Sequence, residues 1–395
     1  MFSLRLLSAN DPREIEKEFA RIGVSPEGTE LMIGKGEFII VKVGKISAQA
    51  ANILKQEMLA KGGEVALGKA MAYLGPEQGE AIIMGTRTQY RRLLALLARQ
   101  PFGLSVLAQE LRRLLLALDQ GPPPLTIKNR RFEWGTKTYV MGILNLTPDS
   151  FSGDGLYGQK RLLDRALRQA DEFYLAGADL LDLGAESTRP GSTPVSPEEE
   201  KKRLLPVLET IAQKSPLPIS VDTYKPAVAK AALAAGADLI NDVWGLQRDP
   251  EMVKVVAAAQ APVIVMHNKA TPDYTDLMAE VASFLRVSIK LAVEHGLRRE
   301  MVIIDPGIGF GKTLEDNLTI INRLDELKGL AAPILLGTSR KSVVGQVLDL
   351  PVDQRQEGTA ATVAVGISRG ADLIRVHDVK EMVRVARMTD AIVRR

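Results

Sequence analysis

The chain has 395 residues, of which 46% are hydrophobic and 25% charged, and it carries a net charge of +3. That length is too great for one average domain and predicts two, while the near-neutral balance gives no reason to expect a nucleic-acid partner. The sequence contains no cysteine, which excludes disulfides, thiolate nucleophiles and thiolate-bound metals. No apolar run reaches the roughly 18 to 20 residues of a membrane span. The opening stretch MFSLRLLSANDPREIEKEF turns charged too early for a signal-peptide core. A cytoplasmic protein without a membrane partner is expected.

The first 120 residues alternate strand-like and helical patterns. Phe2 to Leu7 predicts a strand, and Asp11-Pro12 starts a helical turn, with Asp as cap and Pro as first helical residue. Glu37 to Val43 and Glu80 to Met84 read as strands. Ser47 to Ala60 has helical spacing and stops at Gly62-Gly63. Thr86 to Leu118 reads as helix in two pieces, broken around Pro101 to Gly103. The leucine-rich second piece is a core stripe by spacing. No set of catalytic groups stands out in this half, so it is read as an α/β accessory domain spanning 1–120. Gly121-Pro122-Pro123-Pro124 cannot continue a helix and marks the boundary. Leu125 to Trp134, with Asn129-Arg130 between two short runs, predicts a hairpin, so 121–138 is linker and hairpin.

From Tyr139 onward eight apolar runs alternate with helical segments. They are Tyr139–Leu144, Asp179–Leu183, Pro218–Val221, Leu239–Val243, Pro262–Met266, Met301–Ile304, Pro333–Leu336 and Asp372–Val376. Near-continuous Val, Ile and Leu suits strands covered on both faces. Eight strand–helix pairs predict a (β/α)8 TIM barrel over 139–395. A doubly wound open sheet would need fewer strands and a glycine-rich first turn, which Asn145-Leu146-Thr147 is not.

In such a barrel every strand ends on one face, and that face carries the site. The ends here are polar: Asn145; Asp182, Glu186, Thr188 and Arg189; Asp222; Asn241 and Asp242; His267; Asp305; Ser339, Arg340 and Lys341; Arg375 and His377. Asp222, Asn241 and Asp305 suit a flat heterocycle, because one carboxylate accepts two parallel N–H bonds. Arg189, Lys341, Arg375 and His377, with Asn145, Thr188 and Ser339, suit a phosphate or diphosphate. Asn145 and the acids suit a hard cation such as Mg2+. Gly311-Lys312-Thr313 is not a nucleotide loop, since the required glycine at 306 is Pro. The long segments Thr147–Gly158 and Ser187–Ser196 read as closing lids.

These residues stand in a recognisable order. Met141–Phe151 (MGILNLTPDSF), Asp182–Gly191 (DLGAESTRPG), Ile219–Pro226 (ISVDTYKP), Ile240–Leu246 (INDVWGL), Asp305–Lys312 (DPGIGFGK), Gly337–Ser342 (GTSRKS) and Ile374–Lys380 (IRVHDVK) resemble the dihydropteroate synthases of the pterin-binding barrel family. The chain departs from the family pattern at Ser152-Gly153-Asp154-Gly155, Ala185 and Asn268-Lys269. The resemblance implies condensation of 6-hydroxymethyl-7,8-dihydropterin diphosphate with p-aminobenzoate, giving 7,8-dihydropteroate and diphosphate in folate biosynthesis. It implies a pterin site of Asp222, Asn241, Met266, Asp305, Lys341 and Arg375. It implies a diphosphate site of Asn145, Thr188, Arg189, Arg375 and His377, with Mg2+ on Asn145. Thr188, Pro190, Phe310, Lys341 and Ser342 match the p-aminobenzoate region, and Asp222, Lys341, Arg375 and Arg189 are the expected catalytic set. A homodimer is expected, acting on small molecules alone.

Two other readings share parts of this pattern. A methyltetrahydrofolate-binding methyltransferase domain uses similar pterin-binding acids but needs neither Glu186–Pro190 nor Ser339–Ser342. A non-catalytic pterin-binding module would not need Asn145, Arg189 and Lys341 together.

Overall fold

The computed structural model describes residues 3–7, 12–75, 78–146, 156–187 and 193–394, with the backbone alone for 12–13 and 156–161. The chain forms two compact units, Met1–Leu115 and Leu116–Arg395. Among the described residues no helix is long and apolar enough to cross a membrane.

The first unit runs α1 (Pro12–Arg21), α2 (Pro26–Gly36), β1 (Phe38–Ile46), α3 (Ala48–Leu59), β2 (Glu64–Leu67), α4 (Lys69–Ala72), β3 (Gly79–Thr86), α5 (Arg87–Leu97) and α6 (Leu104–Gln120). Its sheet is antiparallel in the order β1-β3-β2. Leu54 and Met58 of α3, Leu93 and Leu97 of α5, and Leu104, Leu111 and Leu115 of α6 cover that sheet in one core, so the leucine stripe is a packing face. The strand expected over Phe2–Leu7 is not formed: Ser3–Leu7 pairs with no strand, and Leu4 and Leu6 are exposed. Helix α2 escaped the sequence reading because it buries nothing and so has no apolar stripe. Its signal is local, with Ser25 Oγ accepting from Gly28 N at 3.1 Å and Pro26 in the first turn.

The second unit opens with the hairpin β4 (Leu125–Ile127) and β5 (Arg130–Phe132). Phe132, Trp134 and Tyr139 stack with ring centroids 4.7 to 5.4 Å apart. Tyr139 begins the first barrel strand, so the hairpin packs at the N-terminal end of the barrel. There follow β6 (Tyr139–Asn145), α7 (Leu156–Ala176), β7 (Leu180–Gly184), α8 (Pro197–Lys214), β8 (Ile219–Asp222), α9 (Pro226–Ala234), β9 (Leu239–Asp242), α10 (Pro250–Ala258), β10 (Val263–Met266) and α11 (Leu277–Glu294). The chain ends with β11 (Val302–Asp305), α12 (Leu314–Asn322), β12 (Leu335–Leu336), α13 (Ser342–Leu348), α14 (Gln356–Ser368), β13 (Leu373–Val376) and α15 (Val379–Val393). All eight strands pair in parallel in the order β11-β10-β9-β8-β7-β6-β13-β12. A parallel bridge between Ile304 and Ile334 joins the two ends and closes the barrel.

One device recurs at the closed end. Asp179, Asp238 and Asp372 each accept the backbone N–H that opens a neighbouring strand, from Val140 at 2.9 Å, Ile219 at 2.8 Å and Ile334 at 3.0 Å. Each carboxylate satisfies an amide that the ladder would leave bare. These acids belong to stability, while those at the other strand ends are free for chemistry.

Candidate active site

Register brings the inward polar side chains together. Asp182 lies opposite Ser220, Asp222 opposite Asn241, and Met266 opposite Asp305. Arg375 reaches across this wall: its Nε donates to Asp182 Oδ2 at 2.5 Å and its Nη2 to Asp222 Oδ2 at 2.9 Å. Asn241 Nδ2 donates to the same Asp182 oxygen at 3.4 Å. The second oxygens of both carboxylates, Asp182 Oδ1 and Asp222 Oδ1, are buried without a partner. Buried acceptors are normally satisfied, so two bare ones in one wall call for a donor from outside the protein. Burial pushes the Asp222 carboxyl up to about 7, against the pull of Arg375, with Asp182, Glu200 and Asp242 adding to the rise. Burial also opposes the charge on Arg375, but the Asp182 and Asp222 carboxylates outweigh it and keep the guanidinium ionised.

The loop after β11 builds the opposite side. Gly307 N donates to Asp305 Oδ1 at 2.7 Å, which fixes that carboxylate. Lys341, the residue before α13, donates to the Ile308 carbonyl and lies 4.8 Å from the centre of the Phe310 ring. Burial pushes the Lys341 ammonium down to about 8, countered by Asp305. Lys312 turns inward and donates to Gly307 O at 2.9 Å, Phe310 O at 3.0 Å and His267 Nδ1 at 2.8 Å. Burial lowers Lys312 to about 7 and His267 to about 3, the latter helped by the Lys312 and Lys269 charges. His267 is therefore a neutral acceptor. It packs edge-on to Phe284 at 5.0 Å and serves the loop, not the mouth where its strand-end position had suggested a site role.

Two glycines make this close packing possible. Gly307 has φ +73, and a Cβ there would sit 2.0 Å from the His267 carbonyl oxygen; Gly311 has φ +55, and a Cβ would sit 1.9 Å from the Lys269 carbonyl oxygen. No side chain fits either position. Asp242, another polar strand end, accepts from Trp244 N at 2.9 Å and Leu246 N at 2.7 Å and is a loop cap.

Ser339 Oγ lies 3.0 Å from His377 Nδ1 and accepts His377 N–H at 3.1 Å, tying the ends of β12 and β13 together. Ser342 begins α13 and is exposed, Met266 is buried, and Asn145 ends β6 half-buried. Thr188, Arg189 and Pro190 lie outside the described residues, as do Thr147–Gly155 of the first lid. Helix α7 begins at Leu156, so that lid ends before the expected Gly158. A groove of about 920 Å3 between α7 and α15 meets this group of residues only at His377, so it is not the heterocycle pocket.

The pterin-binding enzyme family matches residues 141–377, which spans every strand end described above. The dihydropteroate synthase of Bacillus subtilis is 51% identical over 256 residues, covering 65% of this chain and 89% of that protein. The chain belongs to the dihydropteroate synthase family. Members are transferases of folate synthesis, and this chain is one of them by sequence and fold. The Xanthomonas albilineans dihydropteroate synthase, solved with 4-aminobenzoic acid, is 41% identical, with a TM-score of 0.65 over 69% of this chain and 98% of its own. The same enzyme has been solved in complex with 7,8-dihydropteroate. A probable bifunctional folylpolyglutamate synthase/dihydropteroate synthase of Halobacterium salinarum is 41% identical over 379 residues, 94% of this chain and 45% of that protein. That match is longer than the barrel unit, so the first unit has a counterpart there although the Bacillus enzyme matches 65% of this chain.

Asp182, Lys312 and the ion pair of Glu186 with Lys225 were not singled out from sequence. Asp182 was one polar residue among many; its signal was a carboxylate in the middle of the all-buried strand Leu180–Gly184. Lys312 and the pair Glu186–Lys225 gave no spacing signal, because their partners come from separate loops. For a metal, no cluster of three His, Cys, Asp or Glu exists among the described residues. Asn145 ends β6 half-buried, and its amide oxygen is of the kind that suits a single ligand to an ion that keeps its waters.

Proposed function

We propose that the barrel mouth condenses 6-hydroxymethyl-7,8-dihydropterin diphosphate with p-aminobenzoate. The observation that carries this reading is the bare, buried Oδ1 of Asp222 beside Arg375. An amino-pyrimidine edge supplies the donors that this oxygen lacks, and Asn241, Asp305, Met266 and Lys341 complete the surround. Arg375 covers the ring and reaches toward the diphosphate, which His377, Thr188 and Arg189 also hold. Phe310, Ser342, Pro190 and Thr188 take the arylamine, with Lys341 between the two substrates.

The chemistry follows from charge. The bond from the pterin methylene carbon to the diphosphate oxygen breaks, and its electron pair leaves with the oxygen. The Asp222 carboxylate steadies the cation left on the pterin, while Arg189, Arg375 and His377 stabilise the leaving charge where it develops. The arylamine nitrogen then forms the new C–N bond and gives up a proton. Mg2+ on Asn145 would supply further neutralisation of the diphosphate. No covalent enzyme intermediate is needed, in keeping with the absence of cysteine.

The enzyme is proposed to act in the cytoplasm as a homodimer, without nucleic-acid or membrane partners. Val347, Leu348, Val365, Met388 and Ile392 on the last three helices are exposed apolar side chains that suit a second copy. Sedimentation at a single monomer mass would remove that part of the proposal. The central test measures diphosphate release from the pterin substrate, with and without p-aminobenzoate and Mg2+. Release that the arylamine accelerates and a chelator slows is expected; no release under any condition defeats the reading.

A further inference from the structure

Lys225 lies outside the pterin wall, just before α9, yet it is among the most enclosed cations in the barrel. Its Nζ donates to Glu186 Oε2, to Glu200 Oε2 at 2.7 Å and to the Val195 carbonyl at 2.6 Å. The side chains of Lys225, Glu186 and Glu200 are 12%, 5% and 1% exposed. Tyr224 OH donates to the other Glu186 oxygen at 3.0 Å. The Arg248 guanidinium lies 4.6 Å from the Tyr224 ring centre and 4.8 Å from that of Trp244, bracing the tyrosine from the loop after β9.

The three acceptors share one feature. Glu186 stands where the chain leaves the end of β7, Val195 where it returns, and Glu200 in the first turn of α8. One ammonium therefore ties together residues on both sides of 187–194. In sequence those residues include Thr188, Arg189 and Pro190. No hydrogen bond or ion pair joins Lys225 to Asp182, Asp222, Asn241 or Arg375, and the parallel ladder of the barrel does not pass through it.

We propose that Lys225 is a positioning residue for the arylamine and diphosphate side of the reaction, acting by fixing the two ends of the 187–194 segment. The inference rests on the reading of Thr188, Arg189 and Pro190 given under Proposed function. Loosening the anchors at Glu186, Val195 and Glu200 would cost the orientation on which attack by a second substrate depends, while leaving the hydrogen bonds of the pterin wall in place. Arginine at this position keeps the charge but changes its shape from a compact ammonium to a planar fork, so it restores the function only in part.

The test uses the full-length chain with Lys225→Met and Lys225→Arg, reading pterin diphosphate affinity without arylamine, steady-state kinetics for p-aminobenzoate, and amide exchange. For Lys225→Met, read well above pH 7 so that the uncompensated Glu200 charge does not hold a proton on Asp222, kcat/KM for p-aminobenzoate falls about tenfold or more, while pterin affinity stays within about threefold. Exchange quickens at Glu186 and Val195 but not in the barrel strands, and Lys225→Arg recovers part of the loss. Unchanged arylamine kinetics and unchanged exchange overturn the proposal. So do losses spread evenly over pterin binding and strand protection, which would mark a merely structural ion pair. If Lys225→Met does not fold, Tyr224→Phe removes only the donor to Glu186 and must show the same selective pattern at smaller size; a wild-type profile there overturns the proposal. Failure of the functional reading is separable, since a wild-type chain that releases no diphosphate still reports the exchange at the two anchors.

Discussion

Asp182 accepts the Nε–H of Arg375 at 2.5 Å, and its side chain is fully buried. The guanidinium fork also reaches Asp222, so one cation compensates two carboxylates. A lysine in its place offers three donors on one compact nitrogen, not the planar fork whose separate nitrogens meet Asp182 and Asp222. Arg375→Lys is expected to leave one of the acids buried and uncompensated, at a cost of about 3 to 5 kcal/mol. Urea titration of the purified variant checks this. Wild-type stability in that titration would mean that the Arg375–Asp182 pair is not formed in solution.

Asp222 gives a pH dependence with a definite sign. Its folded carboxyl titrates near 7, above its ordinary value, because burial disfavours the charge. The free protein thus binds this proton more tightly than the unfolded chain does. The stabilising contribution is complete below the unfolded pKa and disappears as pH rises through about 7. Pterin binding runs the other way, since the ring N–H groups need the ionised acceptor. Affinity is expected to fall by about tenfold per pH unit on the acid side of that value. Calorimetric titration from pH 5 to 8 measures it, and Asp222→Asn flattens the profile at weak affinity. A wild-type profile already flat over that range would remove Asp222 from the pterin contact.

The strand set, the barrel and the acids at the strand ends were legible because each rests on local pattern. Buried parallel strands give runs of Val, Ile and Leu, and an Asp at the end of such a run stands out. The same logic failed where meaning depends on a distant partner. His267 ends a strand like Asp222 does, but Lys312 from the next loop draws it out of the mouth. Asp242 ends a strand as well, and caps its own loop. Lys225 reads as an ordinary cation until Glu186, Val195 and Glu200 are brought to it. In the first unit, helix α2 buries no side chain, so no periodic stripe marks it.

Gly307 tests how much the site owes to backbone packing. An added Cβ meets the His267 carbonyl oxygen at 2.0 Å, and the residue already has φ +73. Backbone must move to relieve the contact, and Gly307 N–H is the donor that holds Asp305. Gly307→Ala is expected to lose roughly 2 to 4 kcal/mol of stability. Pterin affinity should fall with it, because Asp305 loses its fixed orientation. Thermal melts with and without the pterin substrate separate the two effects. A variant that melts and binds like wild type would show that this loop relaxes freely.

The first unit and the hairpin can be separated by where the chain is cut. The unit Met1–Leu115 has its own core, whereas Leu125, Ile127, Phe132 and Trp134 belong to the barrel core. A chain beginning at Pro122 keeps all four side chains and every residue of the mouth. It is expected to bind pterin and release diphosphate within about threefold of the full-length rate. A chain beginning at Gly135 loses the hairpin and uncovers Tyr139. At roughly 1.5 to 3 kcal/mol for each buried apolar side chain, that removal consumes most of the stability of a typical domain. Circular dichroism and the diphosphate-release assay on both chains decide the matter. If the Pro122 chain folds but is inactive, the first unit contributes to the site or to assembly, and its separate role as an accessory domain is excluded.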